Sequence, residues 1–259
     1  MTLVPLVLIL GLSGLAVGSF LNLCIDRLPR GQSIISPSSH CPVCNRRLGI
    51  VDMVPVLNYL WLRGRCRTCR APIPYRLPLV ELATGLLFAF LAWYLGPEKV
   101  KVLAILLVYA SLLVIIFVID WENQLILNRI TYPAMVLALG FSFLWPDLTP
   151  LKALTGGAIG LAAMLLPYIL FRQGMGLGDV KLGALVGLMT GYPLVFVNLL
   201  LGVLAGGVVS ALLLGLHLRR RRDALPFAPF LTTATLITLL WGEDLWQWYW
   251  NWPAILGAF

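Results

Sequence analysis

The chain has 259 residues, of which 60% are hydrophobic and only 12% are charged, with a net charge of +8. An ordinary soluble domain carries about 25% charged residues, so this composition excludes one. The apolar residues come in long runs separated by short polar breaks, the pattern of several membrane-spanning helices. The positive charge is unevenly spread, so it bears on membrane orientation and speaks against nucleic acid as a partner.

Hydrophobic segments fall at 3–23, 77–95, 102–119, 131–146, 151–171, 180–193, 194–216 and 225–241. They predict an all-α polytopic membrane protein of about eight helices, although several segments are shorter than the ~20 residues of a comfortable span. Met1 to Leu23 carries no basic residue ahead of its apolar run. It therefore reads as a retained first helix and not as a cleaved signal peptide. Gly191-Tyr192-Pro193 is the only break between the sixth and seventh segments, so one helix over 180–216 is the competing topology.

The basic residues set the orientation. With the N-terminus outside and eight alternating spans, 16 Lys/Arg fall on the inner side and three (Lys99, Lys101 and Lys152) on the outer side. This split obeys the positive-inside rule. The run Arg219–Arg222 reads as a stop signal that meets anionic lipid. The outer tail, with Trp241, Trp246, Trp248, Tyr249, Trp250 and Trp252, reads as an interfacial anchor.

The one substantial polar segment, 24–76, contains Cys41-Pro42-Val43-Cys44 and Cys66-Arg67-Thr68-Cys69, separated by 21 residues. Each pair offers two thiolates from one tight turn, and two turns complete a tetrahedron around zinc. A cytoplasmic placement disfavours disulfides. Four cysteine ligands leave no open position on the metal, and a loop poor in large apolar residues needs a staple, so the zinc is expected to be structural. His40 beside the first pair is an alternative ligand. Cys24 stands alone and reads as a small buried hydrophobe.

Between two apolar segments lies Gly174-Met175-Gly176-Leu177-Gly178-Asp179-Val180-Lys181. A carboxylate at the edge of a bilayer is costly and marks a functional site. Its best partner is Asp120, at the end of the apolar run 105–119. The predicted topology puts both at the cytoplasmic boundary. Two carboxylates held close together share a proton, so one can act as base on water while the other polarises a carbonyl. That is aspartic peptidase chemistry. Proton-coupled transport is the alternative that the two aspartates alone leave open, and a zinc-bound scaffold without chemistry is a third reading. The glycine stretch is no dinucleotide fingerprint, because Asp179 stands where a third Gly is required, and it is no P-loop, because neither Ser nor Thr follows Lys181.

Together these residues resemble the type IV prepilin peptidase family, over nearly the whole chain. The resemblance rests on several motifs: Gly18-Ser19-Phe20-Leu21-Asn22, then Arg27-Leu28-Pro29; Cys41-x-x-Cys44, Asp52, Pro55 and Asn58-Tyr59; Arg63-Gly64-Arg65-Cys66-Arg67-x-Cys69; Tyr75-Arg76-x-Pro78-x-x-Glu81; and Gly174 to Lys181. The Gly-x-Gly-Asp theme is shared with presenilin-like intramembrane aspartic peptidases. One motif departs from the family, which usually shows Asp-x-Asp and then Leu-Pro-Asp. Here stand Asp120-Trp121-Glu122 and Ile126-Leu127-Asn128, so only Asp120 fills the first catalytic position unless Glu122 substitutes. Glu81 is carried over as a family-like intramembrane acid, with a buried structural hydrogen-bond role as its other reading.

The resemblance implies a bifunctional enzyme of the bacterial inner membrane, with its active site facing the cytoplasm. Such enzymes cleave the basic leader from prepilins or pseudopilins and then methylate the new N-terminal residue with S-adenosylmethionine. Asp120 and Asp179 would be catalytic, and Cys41, Cys44, Cys66 and Cys69 would bind zinc. The expected division is a first helix at 1–23, a cytoplasmic zinc-binding loop at 24–76 and a membrane aspartic peptidase domain at 77–259. Membrane lipid would hold the basic leader near the inner surface.

Overall fold

The structure is a computed structural model that describes residues 2–36, 38–170, 176–216, 218 and 226–256. Gly174, Met175, Arg172, His217 and the run Arg219–Arg222 lie outside the described residues, as does the side chain of Trp252. The helices are α1 (Leu3–Arg27), α2 (Leu57–Trp61), α3 (Arg76–Leu95), α4 (Val100–Asn123), α5 (Asn128–Phe141), α6 (Pro150–Leu170), α7 (Leu177–Thr190), α8 (Leu194–Gly215) and α9 (Ala228–Leu256). Among the described residues there is no named strand, only the isolated bridges His40–Arg47 and Arg65–Pro72.

Among the described residues, five helical stretches are long and apolar enough to cross a membrane: Leu3–Arg27, Arg76–Leu95, Pro97–Asn123, Pro150–Leu170 and Leu194–Gly215. This makes the chain a multi-pass membrane protein, with five such spans against the eight expected. The expected spans at 131–146 and 180–193 became α5 and α7, with 14 residues each. At 1.5 Å per residue a helix of that length covers about 21 Å, short of the ~30 Å hydrocarbon core. The last expected span became α9, which runs on past Trp241 through Glu243 and Asp244 into the tryptophan-rich tail. The competing single helix over 180–216 does not form. Gly191 turns the chain with φ +69, a conformation suited to glycine, and Pro193 follows.

The chain divides into two compact units, Met1–Ile115 and Ile116–Phe259. In the first, α1 and α3 pack antiparallel. A Cβ at Gly14 would come within 2.8 Å of Phe88 Cβ, and one at Gly18 within 2.7 Å of the Glu81 backbone. Small residues let the backbones approach where lipid offers no hydrophobic drive to association. The seam continues with Asn22 donating to the Leu77 carbonyl at 2.9 Å, and ends in the Arg76–Asp26 ion pair at 2.7 Å.

In the second unit α7 is the central helix, packed against α5, α6, α8 and α9. Residues Leu182 to Thr190 are all buried. A helix apolar on every face belongs in such a position. Its seam with α6 is glycine against glycine: a side chain at Gly156 would strike the Gly187 carbonyl, and one at Gly160 the Gly183 carbonyl. Helices α8 and α9 pair through Asn198 Nδ2, which donates to Thr235 Oγ1 at 3.1 Å between fully buried residues. This scaffold fixes where the first turn of α7 lies.

Candidate active site and metal centre

Asp120 lies in the last turn of α4 and is only 5% exposed, whereas Trp121 is 62% exposed and Glu122 is also exposed. Burial therefore separates Asp120 from Glu122 as the acid inside the bundle. Past Asn123 the chain turns at Gln124, where φ is +53. Asp120 Oδ2 accepts a 3.0 Å hydrogen bond from the backbone N–H of Ala228, the first residue of α9.

Asp179 is the third residue of α7 and half-buried. Its Oδ2 accepts from the Gly176 N–H at 3.2 Å, closing a capping loop on the residue before the helix. Gly178 has a separate function. A Cβ there would stand 2.8 Å from Ile126 Cβ, so glycine lets the start of α7 lie flat against the segment that follows α4. Lys181 donates to Asn128 Oδ1 at 2.8 Å and lies over the Tyr132 ring, tying α7 to α5.

Asp120 and Asp179, 59 positions apart in sequence, thus sit on helix ends that meet where Gly178 packs on Ile126. Each carboxylate has one oxygen held by the amide at a helix start, where the helix dipole favours negative charge. Among the described residues, no hydrogen bond engages the other oxygen of either carboxylate. Sequence reading did not find the Ala228 amide, because a backbone donor has no residue signature; the proline at 229, a helix-start signal, was the only pointer. A largely apolar cavity of about 260 Å³ is lined by Phe117 and Trp121 of α4, Leu201 and Ala205 of α8, and Pro229 and Phe230 of α9, the chain neighbours of Asp120 and Ala228 among them.

The four cysteines form a second centre, in the first unit. The Sγ atoms of Cys41, Cys44, Cys66 and Cys69 all lie within 4.8 Å of one another, and those of Cys41 and Cys69 are 3.8 Å apart. A tetrahedral Zn–S distance of about 2.3 Å requires S–S edges of about 3.8 Å, so the set fits a metal ion such as zinc. The two turns repeat each other. Cys41 N–H donates to the Arg46 carbonyl and Cys66 N–H to that of Ala71, while Asn45 and Arg70 take equivalent positive φ values of 52 and 57. The N–H groups of Cys69 and Thr68 lower the Cys66 thiol to about 6, and those of Cys44 and Val43 lower that of Cys41. Such turns favour the thiolate that binds metal.

His40 is exposed, with Nδ1 3.1 Å from the Ser38 carbonyl, and is not part of the cluster. Asp52 braces the two turns: Arg46 from one and Arg67 from the other both pair with its buried carboxylate, at 2.7 and 3.3 Å. Glu81 accepts from the Val56 N–H at 2.8 Å, which is a structural hydrogen bond at the start of α2. Cys24 is buried in α1.

Two family models match the chain: the bacterial peptidase A24 N-terminal domain over residues 12–95, and the type IV leader peptidase family over residues 107–211. The prepilin leader peptidase/N-methyltransferase of Aeromonas hydrophila is 34% identical, over 92% of this chain and 91% of its own length. The protein of the same name from Bacillus subtilis is 32% identical over 93% and 96%. The one from Myxococcus xanthus is 38% identical over 78% of this chain and 61% of its own length. No solved structure matches the chain. With these relatives along nearly its whole length, the chain belongs to the type IV leader peptidase family.

Proposed function

We propose that this protein is a membrane aspartic peptidase that removes the leader from type IV prepilins or pseudopilins and N-methylates the residue this exposes. The observation that carries the peptidase half is the pair Asp120 and Asp179, each with one oxygen held at a helix start and both on helix ends that meet where Gly178 packs on Ile126. One carboxylate takes a proton from water as the water attacks the scissile carbonyl. The other donates a proton to the carbonyl oxygen, and the tetrahedral intermediate then collapses with protonation of the leaving amine. The apolar cavity walled by Phe117, Trp121 and the start of α9 suits the hydrophobic segment that follows a leader.

The methyltransferase half rests on the names of the relatives, and S-adenosylmethionine as its donor on the resemblance to the family. The cysteine cluster is a structural zinc centre, since four thiolates leave the metal no open position. In this reading the protein lies in the bacterial inner membrane with residues 24–76 and the aspartates on the cytoplasmic side, a placement supported by the nine Lys/Arg between Arg27 and Arg76. There, anionic lipid would hold a basic leader close to the site. The first helix at 1–23, the zinc loop at 24–76 and the peptidase portion at 77–259 are the functional divisions of this reading. No finding favours the transport alternative.

The test is a cleavage assay in mild detergent with a prepilin substrate, followed by mass spectrometry. Asp120→Asn and Asp179→Asn should each lower cleavage by about 10²–10⁴-fold. A methyl mass should appear on the product only with S-adenosylmethionine. Full cleavage by either variant removes that aspartate from the mechanism.

A further inference from the structure

The start of α9 is stripped of free amides but one. Of the four N–H groups that a helix leaves unpaired at its start, that of residue 229 is missing because Pro229 has none. Those of Phe230 and Leu231 both donate to the Phe227 carbonyl, at 3.1 and 3.3 Å. The remaining one, of Ala228, donates to Asp120 Oδ2 at 3.0 Å. Both ends of this contact are buried: Ala228 is 0% exposed and Asp120 is 5% exposed. The contact joins residues 108 positions apart. Among the described residues, no other helix start holds the Asp120 side chain. Asp179, by contrast, is held by its own turn.

We propose that the backbone amide of Ala228 is the positioning group for Asp120, so that the first turn of α9 determines which carboxylate oxygen of Asp120 faces the reacting water. The inference rests on the peptidase reading given above. With Oδ2 engaged by the amide, Oδ1 is the oxygen left to act on water. An acid at the end of α4 has two free torsions, and without the amide its carboxylate samples orientations in which neither oxygen is in line. Pro229 contributes by leaving the carboxylate no second amide in that turn. The same turn also supplies Pro229 and Phe230 to the apolar cavity, whose other wall includes Trp121, the neighbour of Asp120. A substrate segment seated there would bear on both partners of the hydrogen bond.

Proline at position 228 deletes this amide at a helix position that tolerates proline, and because the added ring enters a buried site its assembly is checked separately. Ala228→Pro should lower kcat by roughly 100-fold, the cost of a misplaced catalytic group. KM should stay within about threefold, because the amide does not touch substrate. Ala228→Gly, which keeps the amide, should retain kcat within about tenfold of wild type. Methyl transfer to a substrate already lacking its leader should persist in Ala228→Pro, which a collapsed fold would not allow. Cleavage by Ala228→Pro at the wild-type kcat overturns the inference, as does an equal loss in Ala228→Gly. Should Ala228→Pro fail to assemble, hydrogen exchange decides. The Ala228 amide should exchange at least about tenfold faster in Asp120→Ala than in wild type, and equal rates overturn the inference. If wild type itself cleaves nothing, the peptidase reading fails, and the exchange comparison still decides the contact.

Discussion

Replacing Gly178 with alanine puts a Cβ 2.8 Å from Ile126 Cβ, with Ile126 Cδ1 and Cγ1 at 3.4 Å. Carbon atoms in ordinary contact sit about 3.5–4.0 Å apart, so the start of α7 and the segment before α5 must separate by about 1 Å. The obstructing atom is a β-carbon fixed to the backbone, and a rotamer change at Ile126 does not move it. Overpacking of this kind costs about 1–3 kcal/mol. The larger effect falls on the adjacent residue, Asp179, because a displacement of about 1 Å in a catalytic group costs roughly 100-fold in rate. Gly178→Ala is therefore expected to insert and bind zinc normally but to lose about two orders of magnitude in kcat for prepilin cleavage. Gly176→Ala should lose far less: its Cβ would meet nothing closer than 3.7 Å, and its φ of −86 suits any residue. Adding Ile126→Gly to Gly178→Ala removes the obstructing carbon and should restore part of the rate, a coupling that a double-mutant cycle measures. Initial rates at saturating substrate are the readout. Wild-type kcat in Gly178→Ala, or no recovery in the double variant, refutes the steric argument.

Metal analysis of purified protein should find about one zinc per chain, and Cys66→Ser should lower that occupancy; because the ligands must be thiolates, occupancy should also fall as pH falls. Asp52→Ala leaves the guanidinium groups of Arg46 and Arg67 without the carboxylate they share. Zinc should remain bound while proteolysis at the loop arginines becomes several-fold faster, reflecting a loss of about 1 kcal/mol for a partly exposed pair; loss of zinc in that variant would make Asp52 part of the metal site itself. In the bundle, Asn198→Ala and Thr235→Val remove the two ends of one buried hydrogen bond. Their coupling in a double-mutant cycle of unfolding should be about 0.6 kcal/mol, the usual value inside a membrane protein.

Side-chain chemistry was the most legible part of this chain. Two Cys-x-x-Cys pairs name a four-thiolate centre wherever the intervening loop folds, and the structure gathers them within 4.8 Å. An aspartate that opens an apolar run is likewise a candidate for function, and Asp179 stands in the first turn of α7. Length arguments did worse. Residues 131–146 and 180–193 are apolar enough for spans, but the helices there hold 14 residues each. α7 is apolar because protein surrounds it on every side. Hydropathy does not separate a helix buried in lipid from one buried among helices. The Gly191–Pro193 break was visible as a choice between two topologies, and the positive φ at Gly191 decided it. The braces were not legible at all. The charges of Arg46 and Arg67 say nothing of a shared partner until the loop closes, and the amide of Ala228 belongs to the backbone.

The departures from the usual acidic pattern of the family are also explained by position. Where the family shows a second aspartate, this chain has Glu122, which is exposed on the last turn of α4, two residues beyond the buried Asp120. Residues two apart on a helix point to different sides. A carboxylate at 122 therefore does not share the environment of Asp120, and lengthening it from Asp to Glu leaves the buried site alone. Where the family shows Leu-Pro-Asp, this chain has Asn128, whose Oδ1 accepts from Lys181 at 2.8 Å. An amide oxygen serves that ammonium as an acceptor, as a carboxylate would, but it adds no negative charge near Asp179, two residues before Lys181. Asn128→Asp would turn the hydrogen bond into an exposed ion pair, worth about 0–1 kcal/mol. Both Glu122→Gln and Asn128→Asp should therefore keep cleavage within about threefold of wild type, far from the 10²–10⁴-fold loss expected for a general acid or base. A loss of that size in Glu122→Gln would move the first catalytic role from Asp120 to Glu122, and would require the end of α4 to rotate when substrate binds.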